Sequence, residues 1–422
     1  MTEPSERRAP TRIQRDQLTF SLYGTFVMWG WLLYSFNPSV PLLTADLGIT
    51  RAQGGLHGTA LAAGAVAAAM ITPRLVISRG RRAALVTGTL VVAVGLVGLL
   101  LGPSLPWTLT GMFVVALGAN IAISSAQVAL ALHHRGTSAA VITEANGVGS
   151  SIGLIGPLAV GLTVGIGWGW RPAVAVTAAL AVLTAVVVMR VQLPQHAPVE
   201  ELTAAPPAPV EPVRASSDRG LTGARRWPPR PAVLRPQALA TWCFLAAIVA
   251  GIGLENVTTF WSADLIVGRT GAPASIATAA TAGLVLGMSI IRFVVSPLSL
   301  RIRPAHLLTA SFVVAIAGWA VLWTATVPWL ALAGLFLAGL GYGAQYPLAI
   351  SLLLRAAGGA VDKAQARATL AGGLAIGLAP FGLGALADAV GPHQAFLLVP
   401  VIAVLGAIAA VAGARATRGE TR

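Results

Sequence analysis

The sequence predicts an all-α polytopic membrane protein with 12 transmembrane helices arranged as two parallel six-helix repeats. Of its 422 residues, 56% are hydrophobic and only 10% are charged, whereas soluble globular proteins carry about 25% charged residues. Twelve apolar segments are long enough to cross a bilayer, which takes about 20 residues. Landmark residues of the first six segments recur in the last six at a nearly constant offset. Composition, segment length and repetition therefore all favour a membrane protein built from two related halves.

The apolar segments, called spans 1 to 12 here, are separated by glycine, proline or arginine. In the first half their predicted limits are 19–43, 56–77, 83–101, 107–132, 139–165 and 171–191. In the second half they are 238–263, 275–299, 305–325, 329–354, 367–389 and 393–413. Span 1 is too long for a signal-peptide core, so we expect it to be retained.

A proline-rich linker separates the two halves. The predicted parts are a cytoplasmic N-terminal tail 1–18, an N-terminal six-helix bundle 19–193, a linker 194–236, a C-terminal six-helix bundle 237–413 and a cytoplasmic tail 414–422. The linker holds ten of the 27 prolines and has no helical periodicity. We therefore expect it to be a disordered cytoplasmic tether.

Four landmarks support the internal repeat. Asp46 and Asp264 close spans 1 and 7 at an offset of 218 residues. Three proline pairs have offsets of 224, 222 and 223: Pro73 and Pro297, Pro106 and Pro328, Pro157 and Pro380. Because each half has an even number of spans, the two repeats run parallel rather than inverted.

The positive charge of the chain carries information on orientation. A net charge of +14 would suggest a nucleic-acid partner in a soluble chain. If the N-terminus is inside, however, 24 of the 28 basic residues fall in cytoplasmic segments, as expected for membrane topology. We therefore predict no nucleic-acid partner, a lipid bilayer as the surroundings, and a multi-pass protein of the cytoplasmic membrane with both termini cytoplasmic.

The segment between spans 2 and 3 ends in the basic run Gly80-Arg81-Arg82. This run resembles the end of a loop motif of the major facilitator superfamily. Pro73 and Ile77 stand where that pattern has Gly and Asp, so the gating ion pair of that Asp is not carried over. The resemblance implies a secondary transporter whose two six-helix domains rock around a midplane site.

Span 5 carries a second point of resemblance. Gly149, Gly153, Gly156 and Pro157 are similar to the Gly-Pro motif of proton-coupled exporters in this superfamily. Small residues permit close helix contact and Gly-Pro bends a helix, so we expect this motif at the domain interface. The same run fits Gly-x-Ser-x-Gly, but no histidine lies at mid-depth to act as a base.

The sequence predicts neither an enzyme nor a cofactor protein. It has no nucleotide-binding loop, no His-Glu-x-x-His and no acidic cluster for a metal. The single cysteine, Cys243, excludes a disulfide framework. Transport is therefore expected to use a gradient, with protons and a small organic solute as partners and a monomer as the working unit.

Charged side chains inside spans are functional candidates because their burial in a bilayer is costly. Glu255 in span 7 lies nine residues before Asp264, about 13 Å below that end of the helix. The repeat offset maps it onto Asn37 of span 1, so we expect the two to face each other across a cavity. Glu255 is the predicted proton carrier; the alternative is a residue that only holds span 7 in place.

Glu144 in span 5 and Arg292 in span 8 are expected at similar depth. One hypothesis is an ion pair that opens and closes with alternating access. Another is that Arg292 binds a substrate carboxylate as a planar fork, with Glu144 as its resting partner. In the third, Glu144 is a solvated helix start and Arg292 extends to the membrane surface.

Polar residues at helical spacing predict the wall of the substrate cavity. They are Tyr34, Asn37, Asn120, Ser124, Gln127, Asn256, Thr259, Tyr342, Gln345 and Tyr346. The resulting prediction is proton-coupled export of a drug or metabolite. The alternative is proton-coupled uptake of a sugar or monocarboxylate, and a remote one is a non-transporting membrane sensor.

Overall fold

The computed structural model describes residues 15–134, 137–191, 236–357 and 361–418. The helices of the first half are α1 (Gln17–Phe36), a 3-10 turn (Asn37–Ser39), α2 (Val40–Leu47), α3 (Arg51–Leu101), α4 (Leu105–His133), α5 (Ser138–Gly153), α6 (Ile155–Gly165) and α7 (Arg171–Arg190). Those of the second half are α8 (Pro236–Thr270), α9 (Ala274–Arg301), α10 (Pro304–Thr324), α11 (Pro328–Ala356), α12 (Val361–Val390), α13 (Pro392–Ala395) and α14 (Leu398–Arg418). Predicted linker residues 194–235 and the ends of both tails lie outside the described residues.

The helices match the predicted 12-span fold. Ten helical segments of the described chain are long and apolar enough to cross a membrane. One of them, α3, contains both span 2 and span 3 over 51 residues. Span 1 is formed by α1, the 3-10 turn and α2, and Pro38 in that turn interrupts the helix because it has no N–H to donate.

Gly80 turns the chain between spans 2 and 3. Its φ of 82° and ψ of 162° belong to a region that essentially only glycine adopts. The predicted loop is therefore reduced to one non-helical residue, with Arg81 and Arg82 already in span 3. We call this end of the molecule the Gly80 end and the opposite end, where α3 begins, the Arg51 end.

The two halves repeat their packing as well as their landmarks. In spans 3 and 4, a Cβ on Gly118 would lie 2.5 Å from the carbonyl oxygen of Gly88. In spans 9 and 10, a Cβ on Gly341 would lie 2.6 Å from the carbonyl oxygen of Ser311. The same helix pair thus approaches backbone to backbone at equivalent positions of both halves.

The span 5 glycines pack inside the first half, so their predicted place at the domain interface is wrong. A Cβ on Gly149 would lie 2.5 Å from the Phe26 carbonyl oxygen, and one on Gly153 or Gly156 would meet Tyr34 or Ser35. Spacings of four and three residues place these glycines on one helix face, which turns toward α1.

The neighbouring face of span 5 meets the second half instead. There, a Cβ on Gly161 would lie 2.6 Å from the carbonyl oxygen of Ser275. The predicted bend is present: α5 ends at Gly153 and α6 begins at Ile155. Pro157 explains the break because its ring clashes with the carbonyl four residues earlier.

Gly149→Ala should destabilise the protein. Its methyl group would press on the Phe26 carbonyl, and such overpacking costs about 1–3 kcal/mol. Gly373→Ala is the matched control, because a Cβ at Gly373 meets nothing within 4 Å and alanine favours the helix. Thermal unfolding in detergent should show a lower midpoint for Gly149→Ala only, and equal midpoints for both variants would contradict the packing.

Candidate functional site

Four polar side chains meet at mid-depth, where spans 1, 5, 7 and 8 converge. Nη1 of Arg292 donates to Oγ of Ser150 at 2.8 Å. Tyr34 interacts with Ser150, Arg292 and Glu255, and Glu255 interacts electrostatically with Arg292. We call Tyr34, Ser150, Glu255 and Arg292 the central group. Each half supplies two members, so a ligand bound there would contact both halves.

Span 10 adds further polar side chains beside Glu255. The Tyr342 hydroxyl hydrogen-bonds the Thr258 hydroxyl at 3.0 Å and interacts with Glu255. Gln345 is only 1% exposed and packs against Gly251 of span 7. Within the described chain, neither its amide oxygen nor its amide nitrogen has a hydrogen-bond partner. Since buried polar groups are normally paired, Gln345 is a candidate for contact with a ligand.

Asn37 contacts span 7 one turn away from the predicted position. Its Nδ2 donates to Oγ1 of Thr259 at 3.4 Å, four residues beyond Glu255. The pairing of span 1 with span 7 across the halves is therefore present, although its register differs from the expectation. The Oδ1 atom of Asn37 is buried and unpaired among the described residues.

Glu144 does not pair with Arg292 in this structure, so the ion pair that two of the hypotheses contain is not formed here. Its carboxylate accepts from Nε and Nη2 of Arg15 at 2.6 and 2.9 Å. Glu144 lies six residues before Ser150, about 9 Å along the helix toward the Gly80 end, and so lies beside the start of α1. Arg292 is left without a carboxylate within ion-pair distance among the described side chains.

The remaining predicted cavity residues have local partners or open surroundings. Asn120 and Asn256 donate to carbonyls of their own helices, at Ala116 and Ile252. Ser124 and Tyr346 are exposed, and Gln127 is partly exposed. These positions can line a cavity, but their hydrogen bonds do not join the central group.

At the Arg51 end, two carboxylates of the second half bind the start of α3 in the first half. Oδ1 and Oδ2 of Asp388 in span 11 accept from the backbone N–H groups of Arg51 and Ala52 at 3.0 and 2.8 Å. Nε of Arg51 also donates to Oδ2 of Asp264 at 2.7 Å. Sequence reasoning missed Asp388, whose only signal was an acidic residue at the end of a span. Arg51, Asp264 and Asp388 are called the Arg51 latch.

A cluster that the sequence did not predict lies at the start of α1. Asp16 caps α1 by accepting from the Thr19 backbone and accepts from Nε2 of His133 at 2.6 Å. The Thr19 hydroxyl shares a hydrogen bond of 2.8 Å with His134. Partial burial opposes ionisation of Asp16, but the hydrogen bonds from Thr19 and His133 outweigh it and lower its pKa to about 2. Burial and the adjacent His133 lower the pKa of His134.

The family of the chain follows from comparison with known sequences. The profile described as Major Facilitator Superfamily matches residues 20–267 and 243–421. The chain belongs to this superfamily. It is therefore a multi-pass membrane transporter rather than an enzyme. No curated protein sequence matches it.

Solved transporters of the superfamily have the same fold. The nucleoside transporter NupG is 13% identical, with a TM-score of 0.69 over 94% of this chain and 98% of that one. A D-xylose-proton symporter is 14% identical, with a TM-score of 0.70 over 94% and 96%. A bacterial homolog of the human lysosomal transporter Spinster, inward-facing and occupied, is 15% identical, with a TM-score of 0.66 over 94% and 96%. At these identities the likeness establishes the fold alone.

Proposed function

We propose that the protein carries a small organic anion across the cytoplasmic membrane together with protons, using the central group as its site. The observation that carries this proposal is the position of Glu255 and Arg292 in one mid-depth group shared by both halves. Placing two opposite charges this deep in a membrane costs free energy. The cost is explained if one of the two charges binds the solute. The unpaired amide of Gln345 supports a solute that also offers hydrogen-bonding groups.

Electrostatics links the proton to the anion. When Glu255 is ionised, its negative charge offsets the field of Arg292 and opposes an incoming anion. When Glu255 is protonated, the guanidinium is free to hold a carboxylate by two hydrogen bonds. Proton and anion therefore favour each other's binding, which is the condition for symport. The site would not attract a cationic solute, because the charges of ionised Glu255 and Arg292 cancel.

The closed Arg51 end supports an assignment of sides. The Arg51 latch joins the halves at that end, while Glu255 remains partly exposed. We assign the Gly80 end to the cytoplasm, in agreement with the distribution of arginine. In this assignment both termini are cytoplasmic and the structure opens inward, ready to release solute and proton into the cell.

Export by proton antiport is the second candidate. It is favoured by the Gly-Pro motif of span 5, which resembles that of proton-coupled exporters. The motif bends span 5 between Gly153 and Ile155, close to Ser150 of the central group. In an antiporter, the solute would bind when Glu255 has released its proton.

Proteoliposomes containing a fluorescent pH indicator distinguish the two candidates. The probes are sugar acids and hydroxylated monocarboxylates, neutral sugars and organic amines, each added outside without a gradient. Symport predicts that an anion acidifies the lumen and that an acid exterior drives its accumulation. Luminal alkalinisation on solute addition would favour antiport instead. Solute transport without any proton movement would refute proton coupling in both forms.

A further inference from the structure

The cluster at the start of α1 has the composition of a metal site. A carboxylate oxygen of Asp16 and one ring nitrogen from each of His133 and His134 lie within 4.8 Å of one another. The carboxylate comes from the N-terminus of α1 and the two imidazoles from the end of α4. Neither the central group nor the Arg51 latch uses these residues.

The donor spacing is close to what a small divalent ion requires. Tetrahedral zinc has ligand bonds of about 2.0–2.2 Å, which places its donors about 3.3 Å apart. The three donor atoms lie within 4.8 Å of one another, and Nε2 of His133 is 2.6 Å from Oδ2 of Asp16. Side-chain movements of up to about 1.5 Å would therefore bring all three donors to one ion. Two imidazoles and one carboxylate suit zinc and its neighbours rather than calcium or magnesium.

The surroundings hold the donors in place. His134 is only 8% exposed, and its ring bonds to Thr19 of α1. Oδ1 of Asp16 is fixed by the α1 cap, which leaves Oδ2 directed at His133. Glu144 interacts electrostatically with His134, and its charge is balanced by the ion pair with Arg15. A bound cation would replace the proton between His133 and Asp16.

We propose that Asp16, His133 and His134 form a zinc-class metal site that ties span 1 to span 4. Three protein ligands leave the fourth position for water. Both spans belong to the first half, so the ion would stabilise that half rather than hold the two halves together. The site is independent of the transported solute and of proton coupling.

The test is zinc binding to purified protein that carries no polyhistidine tag. We expect one Zn²⁺ per chain by calorimetry and a raised unfolding midpoint. Asp16→Asn and His133→Ala should each weaken binding at least about tenfold. Asparagine caps a helix as well as aspartate does, so the first variant keeps the cap on Oδ1 and loses the second carboxylate oxygen.

The control variant is His306→Ala, which removes a histidine from the second half. It should bind zinc as wild type does. Equal zinc affinity in Asp16→Asn and wild type, or no binding at micromolar zinc, would overturn the site. A loss that appears in His306→Ala would place the ion elsewhere and also overturn it. Transport is not the readout, so failure here leaves the proposed function untouched.

Discussion

Glu255→Gln is expected to abolish concentrative uptake while preserving exchange of solute across the membrane. Glutamine resembles the protonated carboxyl, so Arg292 stays free to bind the anion in both conformations. Without a group that releases its proton, the solute gradient no longer follows the pH gradient. We expect accumulation to fall at least about tenfold, which corresponds to about 1.4 kcal/mol of lost coupling. Proteoliposomes under an imposed pH gradient measure it, and counterflow of labelled solute measures exchange.

Glu144→Gln is the matched control, because it removes a carboxylate of the same type from another span, nearer the Gly80 end. Glu144 pairs with Arg15 inside the first half and does not belong to the central group. Accumulation should therefore remain near wild type in this variant. Intact pH-driven accumulation in Glu255→Gln would exclude Glu255 as the carrier. A loss of both accumulation and exchange would indicate a structural role instead.

The span count and the charged site residues were predictable because both follow from the cost of placing polar groups in lipid. Hydropathy alone locates apolar helices, and a charge such as Glu255 or Arg292 is conspicuous within one. The repeat offset then related span 1 to span 7, with an error of one helical turn at Asn37. Hydropathy thus predicted the fold and singled out Glu255 and Arg292, and helical spacing singled out Tyr34, a third member of the central group.

Partners and helix rotation were not predictable by the same reasoning. Glu144 and Arg292 have similar expected depths, but depth does not determine on which side of span 5 a residue lies. The helix face of span 5 that carries Gly149 likewise packs against α1, not against the second half. These outcomes depend on how helices rotate as they pack, which hydropathy does not encode.

Long-range clusters were hidden for a related reason. Asp388 binds the backbone of a residue 337 positions away, and Asp16 binds His133 across 117 positions. No local spacing links such residues. A single sequence therefore shows which charges lie inside spans. It does not show which residues at the ends of different spans contact one another.

Asp388→Asn should shift the protein toward a conformation open at the Arg51 end. The carboxylate receives two backbone N–H bonds and lies 3.8 Å from Nη1 of Arg51. Hydrogen bonds to charged groups contribute about 1.5–3 kcal/mol when shielded and less at a half-exposed site. We therefore expect the open-to-closed ratio to rise about tenfold. Helix α3 should stay intact because Thr50 and Gln53 form its own capping box.

Spin labels on opposite halves would measure the shift. Trp107→Cys and Gly268→Cys place labels near the Arg51 end, in a background with Cys243→Ala. In Asp388→Asn, pulsed electron resonance should show a larger population at long distance than in the labelled parent.

Asp46→Asn is the control for Asp388→Asn. It makes the same chemical change at a carboxylate that has no contact with the other half among the described residues. Asp46 accepts from Arg171 and Trp170, which belong to the same half, so loss of its charge should leave the distance distribution unchanged. If both variants shift the distance distribution equally, loss of surface charge in general explains the opening, and the Arg51 latch has no specific role. If neither does, apolar packing of spans 2 and 11 closes this end. A shift confined to Asp388→Asn would mean that one cap, offered by one half to a helix of the other, biases alternating access.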